Sequence, residues 1–300
     1  MFPTSGVEVN PLIPLLVAFL VSALTAPAGV SGAFLLLPFQ VSVLGFTSPA
    51  VSPTNLIYNI IATPGGVYRY VREGRVVWSL AWLVVLGTLP GVFIGAILRV
   101  TLLSNPNAFK VFIGLVLLYF GVRLLAETIG KITKSGNQRD AAGYSPARAF
   151  PAREKVRTTE ASLRQIEYVF QERTYTVNTP AVFLLCLLVG VIGGIYSIGG
   201  GSIIAPILVT VFGLPVYTIA GATMLATLLT SLAGVASFEA LAAASVGAQA
   251  APDWLLGAML GIGGLAGTYV GARLQKFLPD FWIRAVLGVL VTLLALSYII

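Results

Sequence analysis

Apolar residues run along this chain in long continuous blocks rather than in alternation. The clearest blocks are Leu80–Leu98, Phe109–Leu125, Leu255–Val270 and Trp282–Ile300. Each approaches the length of about 20 residues that a helix needs to cross hydrocarbon. Unbroken runs of this kind predict helices, because the strands of a membrane barrel alternate. Ser52–Val71 and Val216–Phe238 are read as two further spans, although they carry scattered Asn, Thr and Ser. Pro11–Val43 and Thr179–Phe212 are different. The first is interrupted by Ala26-Pro27-Ala28-Gly29-Val30-Ser31-Gly32 and the second by Gly193-Gly194-Ile195-Tyr196-Ser197-Ile198-Gly199-Gly200-Gly201-Ser202. Proline and clustered glycine break helices. Each stretch therefore reads as two helical pieces meeting at an irregular turn, in the manner of a re-entrant hairpin.

One interval is polar. Between Lys131 and Arg173 stand nine Lys/Arg and five Asp/Glu, with a weakly amphipathic piece containing Leu163, Ile166 and Phe170. We expect a solvent-exposed loop with one short surface helix. It divides the chain into a transmembrane repeat over 1–129, a cytoplasmic basic loop over 130–177 and a second transmembrane repeat over 178–300.

The two apolar parts match at a fixed offset of 168: Gly32 with Gly200, Pro38 with Pro206, Gly45 with Gly213. Gly91 and Gly95 match Gly267 and Gly271 at an offset of 176, after an insertion around Ala242–Gln249. Lys and Arg then choose the topology, since cytoplasmic loops carry the excess. With single spans at the broken stretches, positive residues divide 13 against 5; with hairpins they divide 16 against 2. The hairpin reading places both termini outside and makes the halves inverted repeats. The expected fold is an all-α polytopic membrane protein of about 8–10 transmembrane segments, with two inverted repeats carrying broken or re-entrant helices.

Composition agrees. Apolar residues make up 57% of the 300 and charged residues 10%, and the mean hydropathy is +0.93. A soluble domain carries roughly 25% charged residues. Histidine is absent, so no Ser-His dyad, His-ligated metal or His proton relay is available. Cys186 is the single cysteine, stands in an apolar run and reads as a buried small hydrophobe. The net charge of +7 clusters at the ends of apolar blocks, which is topology information and not a nucleic-acid surface. A secretory signal is not expected at Leu12–Ala28, because Met1–Asn10 lacks Lys and Arg. No cofactor is implied.

Candidate chemistry lies at the breaks. Exposed N–H groups at a half-helix N-terminus favour an anion, and glycine lets a ligand approach the backbone. Ser31, Gly32 and Gly199, Gly200, Gly201, Ser202 open the second piece of each stretch. Asn55, Asn59 and Thr63 then share one helix face, as do Thr223, Thr227 and Ser231 at the same offset of 168. Such residues also make ordinary interhelical hydrogen bonds. Carboxylates are absent between Glu8 and Glu73, and Glu239 reads as a helix end at the membrane interface. A cavity of neutral donors suits an anion without bringing a fixed charge into the bilayer. Gly87, Gly91, Gly95 and Gly263, Gly267, Gly271 recur every four residues. That spacing allows close helix packing, within the chain or in a homodimer.

With these residues in view the chain resembles the sulfite exporter TauE/SafE family. The resemblance rests on Gly29-Val30-Ser31-Gly32 leading to Pro38 and Gly199-Gly200-Gly201-Ser202 leading to Pro206. It rests also on the Asn55 helix, the Thr227-Leu228-Leu229-Thr230-Ser231-Leu232-Ala233-Gly234 stretch, and Pro90-Gly91 with Gly95 and its partners Gly267 and Gly271. It covers nearly the whole chain outside the long loop. Ser31 and Ala33 depart from it, standing where the second repeat has Gly199 and Gly201. The resemblance implies carriage of sulfite, sulfonates or related sulfur-containing anions across the bacterial inner membrane, usually outward. The expected partners are thus a small sulfur-containing anion and the lipid bilayer. The expected function is a secondary transporter working by alternating access, not an enzyme. Ser31, Gly32, Asn55, Asn59, Gly199, Gly200, Gly201, Ser202, Thr223 and Thr227 would form the cage and Tyr196 a lid. A passive anion channel and a non-transporting scaffold or receptor acting through the 131–173 loop are the alternatives.

Overall fold

The computed structural model describes residues 2, 4–28, 31–74, 76–133, 156–170, 172–244, 246, 249–274 and 280–300. Gly29 and Val30 of the first break, most of the polar loop and the centre of the 273–284 turn lie outside these described residues. The helices are α1 (Leu12–Ala28), α2 (Ala33–Pro38), α3 (Val51–Ala62), α4 (Pro64–Arg72), α5 (Trp78–Thr101) and α6 (Pro106–Thr133). Three strands follow, β1 (Arg157–Ala161), β2 (Gln165–Phe170) and β3 (Arg173–Asn178), and then α7 (Thr179–Tyr196), α8 (Gly200–Thr210), α9 (Val216–Ala243), α10 (Trp254–Leu274) and α11 (Asp280–Ile299). Five of these helices, α5, α6, α7, α9 and α10, are long and apolar enough to cross a membrane. Their outer faces are greasy: Leu12, Leu16, Leu20 and Leu24 form an exposed stripe on α1, and Trp78, Trp82, Leu86 and Phe93 one on α5. Exposed apolar faces this extensive belong against lipid. The chain is a multi-pass membrane protein.

Both long apolar stretches break where the glycines stand. α1 and α2 are separate pieces, as are α7 and α8. Pro38 cannot donate into the helical ladder, and past it the backbone widens into a π-helical segment, Phe39–Val43. Gly45 and Gly213 follow the two second pieces in the left-handed conformation, φ +67° and +65°.

Two expectations are corrected. Ser52–Val71 is not one span: Thr63 bonds back to the Asn59 carbonyl and Pro64 starts a new helix, α4, none of whose residues is buried. The polar loop contains a three-stranded antiparallel sheet in the order β1-β2-β3, not a surface helix. Its buried residues Ile166, Tyr168 and Phe170 recur every second position, the period of a strand, and Leu163 sits in the β1–β2 turn, 90% exposed.

The sheet locates the ends of the second broken pair. α7 leaves β3 directly, with Asn178 Oδ1 accepting from the Ala181 N–H at 3.0 Å and Thr179 Oγ1 donating to the Ser162 carbonyl at 3.1 Å. After α8, Tyr217 stacks on Phe170 and Thr218 Oγ1 lies 2.9 Å from Tyr168 Oη. α7 and α8 therefore start from and return to one end of the bundle. The first broken pair behaves likewise at the other end, where Thr4 and Ser5 before α1 and Ser48 after the π-helical segment line one cleft. α5 measures the distance between these ends. Ser79 Oγ lies 3.5 Å from Thr158 Oγ1 of the sheet, and Arg99 Nη2 donates to the Ser48 carbonyl at 3.4 Å. At 1.5 Å per residue, its 24 residues span about 36 Å.

The glycine rows bring whole helices into backbone contact. Gly91 and Gly95 of α5 lie on the backbone of α7 at Leu187, Val191 and Gly194; Gly263, Gly267 and Gly271 of α10 lie on the carbonyls of Leu15, Phe19 and Ala23 of α1. A Cβ at Gly91 would stand 2.8 Å from the Val191 nitrogen. A third seam joins α6 and α11 at Gly121 and Thr292. Every seam joins a helix that precedes the sheet to one that follows it.

Candidate functional site

The second break forms because α7 ends on Ser197 in the left-handed region, φ +65°, its N–H donating to the Gly193 carbonyl at 2.7 Å. Gly199 at φ +82° then turns the chain into α8, a conformation that costs glycine little and other residues much. The triplet is also required by proximity. A Cβ on Gly200 would stand 2.8 Å from Thr88 Cγ2, and one on Gly201 would collide with the Thr223 carbonyl. α8 thus begins in direct backbone contact with α9.

The first break is held similarly. Gly32 faces Tyr58 and Ser22, and a Cβ there would lie 2.6 Å from Tyr58 Oη. Ser22 Oγ and Tyr58 Oη are hydrogen-bonded at 2.9 Å.

α3 ties the two breaks together. Asn55 Nδ2 donates to the Ala33 carbonyl at 3.1 Å and to the Ser197 carbonyl at 3.0 Å, and its Oδ1 accepts from Gln40 Nε2 at 3.0 Å. Asn59 Nδ2 donates to the Ile198 carbonyl at 2.7 Å, and its Oδ1 accepts from Ser31 Oγ at 3.3 Å. Tyr196, fully buried, crosses in the other direction, its hydroxyl donating to the Phe34 carbonyl at 2.8 Å. Asn55, Asn59 and Tyr196 thus each clamp one break to the other. Both N–H bonds of Asn55 are occupied by protein.

On α9, Thr223 Oγ1 and Thr227 Oγ1 donate to carbonyls four residues back, each at 3.0 Å. Thr227 Oγ1 also lies 3.4 Å from Ser202 Oγ, and Thr230 Oγ1 accepts the Gly200 N–H at 3.2 Å. Ser31 and Ser202 are half-buried, while Gly32, Gly199, Gly200, Gly201, Asn55, Asn59, Tyr196, Thr223 and Thr227 are buried. The eleven expected residues therefore come together around the two breaks.

Donors are left over at this break. Ser231 Oγ is buried without a partner and lies 3.0 Å from where a Cβ on Gly199 would stand. The Gly201 N–H meets no acceptor among the described residues. Both lie at the start of α8, Ser231 reaching it from α9, where the helix dipole is positive. Among the described residues, no group of three or more His, Cys, Asp or Glu could hold a metal. Sequence reasoning missed Gln40, which is fully buried, bonds Asn55 and leaves Oε1 without a partner. Its signal was plain, an amide in an apolar stretch. It also missed Thr230 as the acceptor for Gly200, and the scaffold formed by Tyr58, Ser22 and Thr88.

The arrangement gathers neutral donors and a helix N-terminus around the two breaks. Comparison with known proteins agrees in kind. The probable membrane transporter protein YunE of Bacillus subtilis (strain 168) is 23% identical over 167 residues, covering 54% of this chain and 51% of that protein. The match thus spans about half the length of that relative. No solved structure matches the chain. The family model described as sulfite exporter TauE/SafE matches residues 14–298. With that match running from α1 to α11, and with the breaks held as described, the chain belongs to the sulfite exporter TauE/SafE family.

Proposed function

We propose that the protein is a secondary transporter that carries a small sulfur-containing anion, sulfite or an organosulfonate, outward across the bacterial inner membrane. Membership of the sulfite exporter family supports the substrate class, and the relative named as a probable membrane transporter supports transport. The observation that carries the reading is the pair of unused donors at the start of α8, Ser231 Oγ and the Gly201 N–H. They sit at the positive end of an 11-residue helix that begins inside the bundle. An oxyanion bound there accepts both bonds and exchanges its hydration shell for fixed dipoles, as at the broken helices of other carriers. Ser31, Ser202, Asn59 and Thr227 complete the wall. The occupied amide of Asn55 makes it a positioning residue that holds the two breaks in register.

The halves act as inverted repeats, since the broken pairs enter from opposite ends. The sheet end faces the cytoplasm, in line with the positive residues that flank the sheet. Alternating access divides the molecule between the glycine seams, which hold each body together. One body contains α5, α7, α8 and α9, the other α1, α2, α3 and α10, and the site lies where α3 meets α9, beside the turn that leads into α8. Each body mixes the two repeats, so neither repeat moves as a unit.

Counterflow of radiolabelled sulfite in proteoliposomes tests this. A carrier gives saturable uptake that unlabelled internal sulfite accelerates. Flux that neither saturates nor responds to internal sulfite identifies a channel, and absence of flux identifies a scaffold. Gly200→Val, which places side-chain atoms against Thr88, abolishes uptake.

A further inference from the structure

Arg99 is the one fully buried charged side chain of α5 and has no acidic partner. It is 0% exposed. Its Nε donates to Ser52 Oγ at 3.2 Å, Nη2 to the Ser48 carbonyl at 3.4 Å and Nη1 to the Leu103 carbonyl, and its Cζ lies 3.6 Å from the centroid of the Phe109 ring. All of these acceptors are neutral, and no carboxylate lies within 4.0 Å of it among the described residues. A buried charge without a counter-ion is held at a cost of several kcal/mol, and intramembrane ionisable residues mark ion pathways more often than they stabilise a fold.

Ser48, which holds Arg99 through its carbonyl, also lines the cleft at the end of the bundle away from the sheet. The cleft has a volume of about 340 Å³ and is walled by Thr4, Ser5, Ser48, Gln249 and Ala251, a predominantly polar set. Its size fits a small ligand. Among the described residues, the carboxylates at this end have donors of their own or face solvent. Asp253 accepts from the N–H groups of Thr4 (3.2 Å), Ser5 (2.9 Å) and Leu256 (3.0 Å) and from Ser5 Oγ (2.8 Å), at the start of α10. Glu239 accepts from Trp254 Nε1 at 3.1 Å, and Glu8 is solvent-exposed, where screening weakens it. Arg99 is the buried cation at this end, and its acceptors, like the donors on Asp253, are neutral. It also connects inward, because Ser52 Oγ donates to the Ile195 carbonyl at 3.4 Å, next to the Tyr196 that clamps the breaks.

We propose that this cleft is a second binding site for a small oxyanion, with hydroxyl donors from Ser48 and Thr4, with Gln249 at its wall and with Arg99 beneath it supplying the attracting charge. The proposal takes the chemistry of its ligand from the transport reading and places a docking point for the anion at the outer mouth.

The test uses the purified full-length protein carrying Gln249→Cys, since Cys186 is buried. Labelling by an anionic sulfonatoethyl and a cationic trimethylammonioethyl thiosulfonate is timed, each rate divided by that of a free thiol. The anionic reagent is expected to be favoured roughly threefold to tenfold, as for one charge nearby in a medium between water and protein surface. Arg99→Lys keeps the preference and Arg99→Gln removes it. Inorganic sulfate, which does not attack these reagents, slows labelling more than chloride at equal ionic strength, and does so only when position 99 is cationic. A preference for the cationic reagent, or equal protection by sulfate and chloride, overturns the proposal. Both readouts are taken on the Gln249→Cys protein itself, so they decide even where Arg99→Gln does not fold. Flux without sulfate protection removes this site alone, whereas protection without flux removes the transport reading and leaves the site.

Discussion

Ser231→Ala separates what a hydroxyl does for a ligand from what it does for the fold. Ser231 Oγ is buried and has no hydrogen-bond partner. A buried polar group left unsatisfied costs about 1–3 kcal/mol. Alanine keeps the Cβ and removes the orphan, so the apo protein gains stability. At about 2–4 °C per kcal/mol, thermal unfolding in detergent shifts upward by a few degrees. Binding moves the other way. A hydrogen bond to a charged group contributes about 1.5–3 kcal/mol, so the Kd for sulfite rises roughly 10- to 150-fold. Equilibrium binding of radiolabelled sulfite to the purified variant reads the second effect, and a melting curve on the same sample reads the first. A more stable variant with sulfite affinity within twofold of the parent refutes the role of this hydroxyl as a ligand. A less stable variant refutes the premise that it lacks a partner.

Gly91→Ala pushes a methyl into the α7 backbone at Leu187 and Val191; overpacking costs about 1–3 kcal/mol, seen as a lower Tm without any change in sulfite Kd for the protein that remains folded. Asn55→Ala removes three hydrogen bonds at a fully buried position and orphans the Ser197 carbonyl. The expected loss is at least about 2–3 kcal/mol, and accelerated proteolysis at the second break reports it. Tyr168, in the sheet, has its phenol pushed up to about 12 by burial, opposed in part by its bond to Thr218. The unfolded chain then loses that proton near pH 10 while the folded chain keeps it. Stability is intact below pH 10 and falls between 10 and 12 by up to about 1.4 kcal/mol per pH unit. Tyr168→Phe flattens that slope in melts at pH 9 and 11, and an unchanged slope would show that another group causes it.

Much of the fold was legible because the membrane allows few solutions. Apolar runs marked the helices, and glycine and proline marked both breaks at Gly32 and Gly199–Gly201. Pro64 was equally visible, yet Val67, Tyr68, Tyr70 and Val71 beyond it carried the run to the length of a span, and one span was read where α3 and α4 stand. The sheet was missed for a different reason. Leu163, Ile166 and Phe170 fit a helical spacing, while the positions that reach the core, Ile166, Tyr168 and Phe170, fit a strand. Tyr168 settles the choice only once the helix ends beneath it, near Thr218, are known to be there. At the site, residue types pointed to the right places but not to their partners. Asn55 reads in sequence as a donor for a ligand, whereas its amide is spent on two carbonyls. Gln40 and Arg99 fall outside the repeat pattern that drew attention elsewhere, and nothing short of coordinates brings Arg99 beneath Ser48.

The crossing of the glycine seams has a consequence for biogenesis. α1 is completed at Ala28, but the helix that covers it, α10, begins at Trp254, more than 200 residues later. During synthesis α1 therefore waits in lipid without its groove, and α5 waits for α7 in the same way. Neither terminal portion made alone can bury its own small-residue row, so two separately expressed fragments should be degraded singly and rescue each other only when produced together.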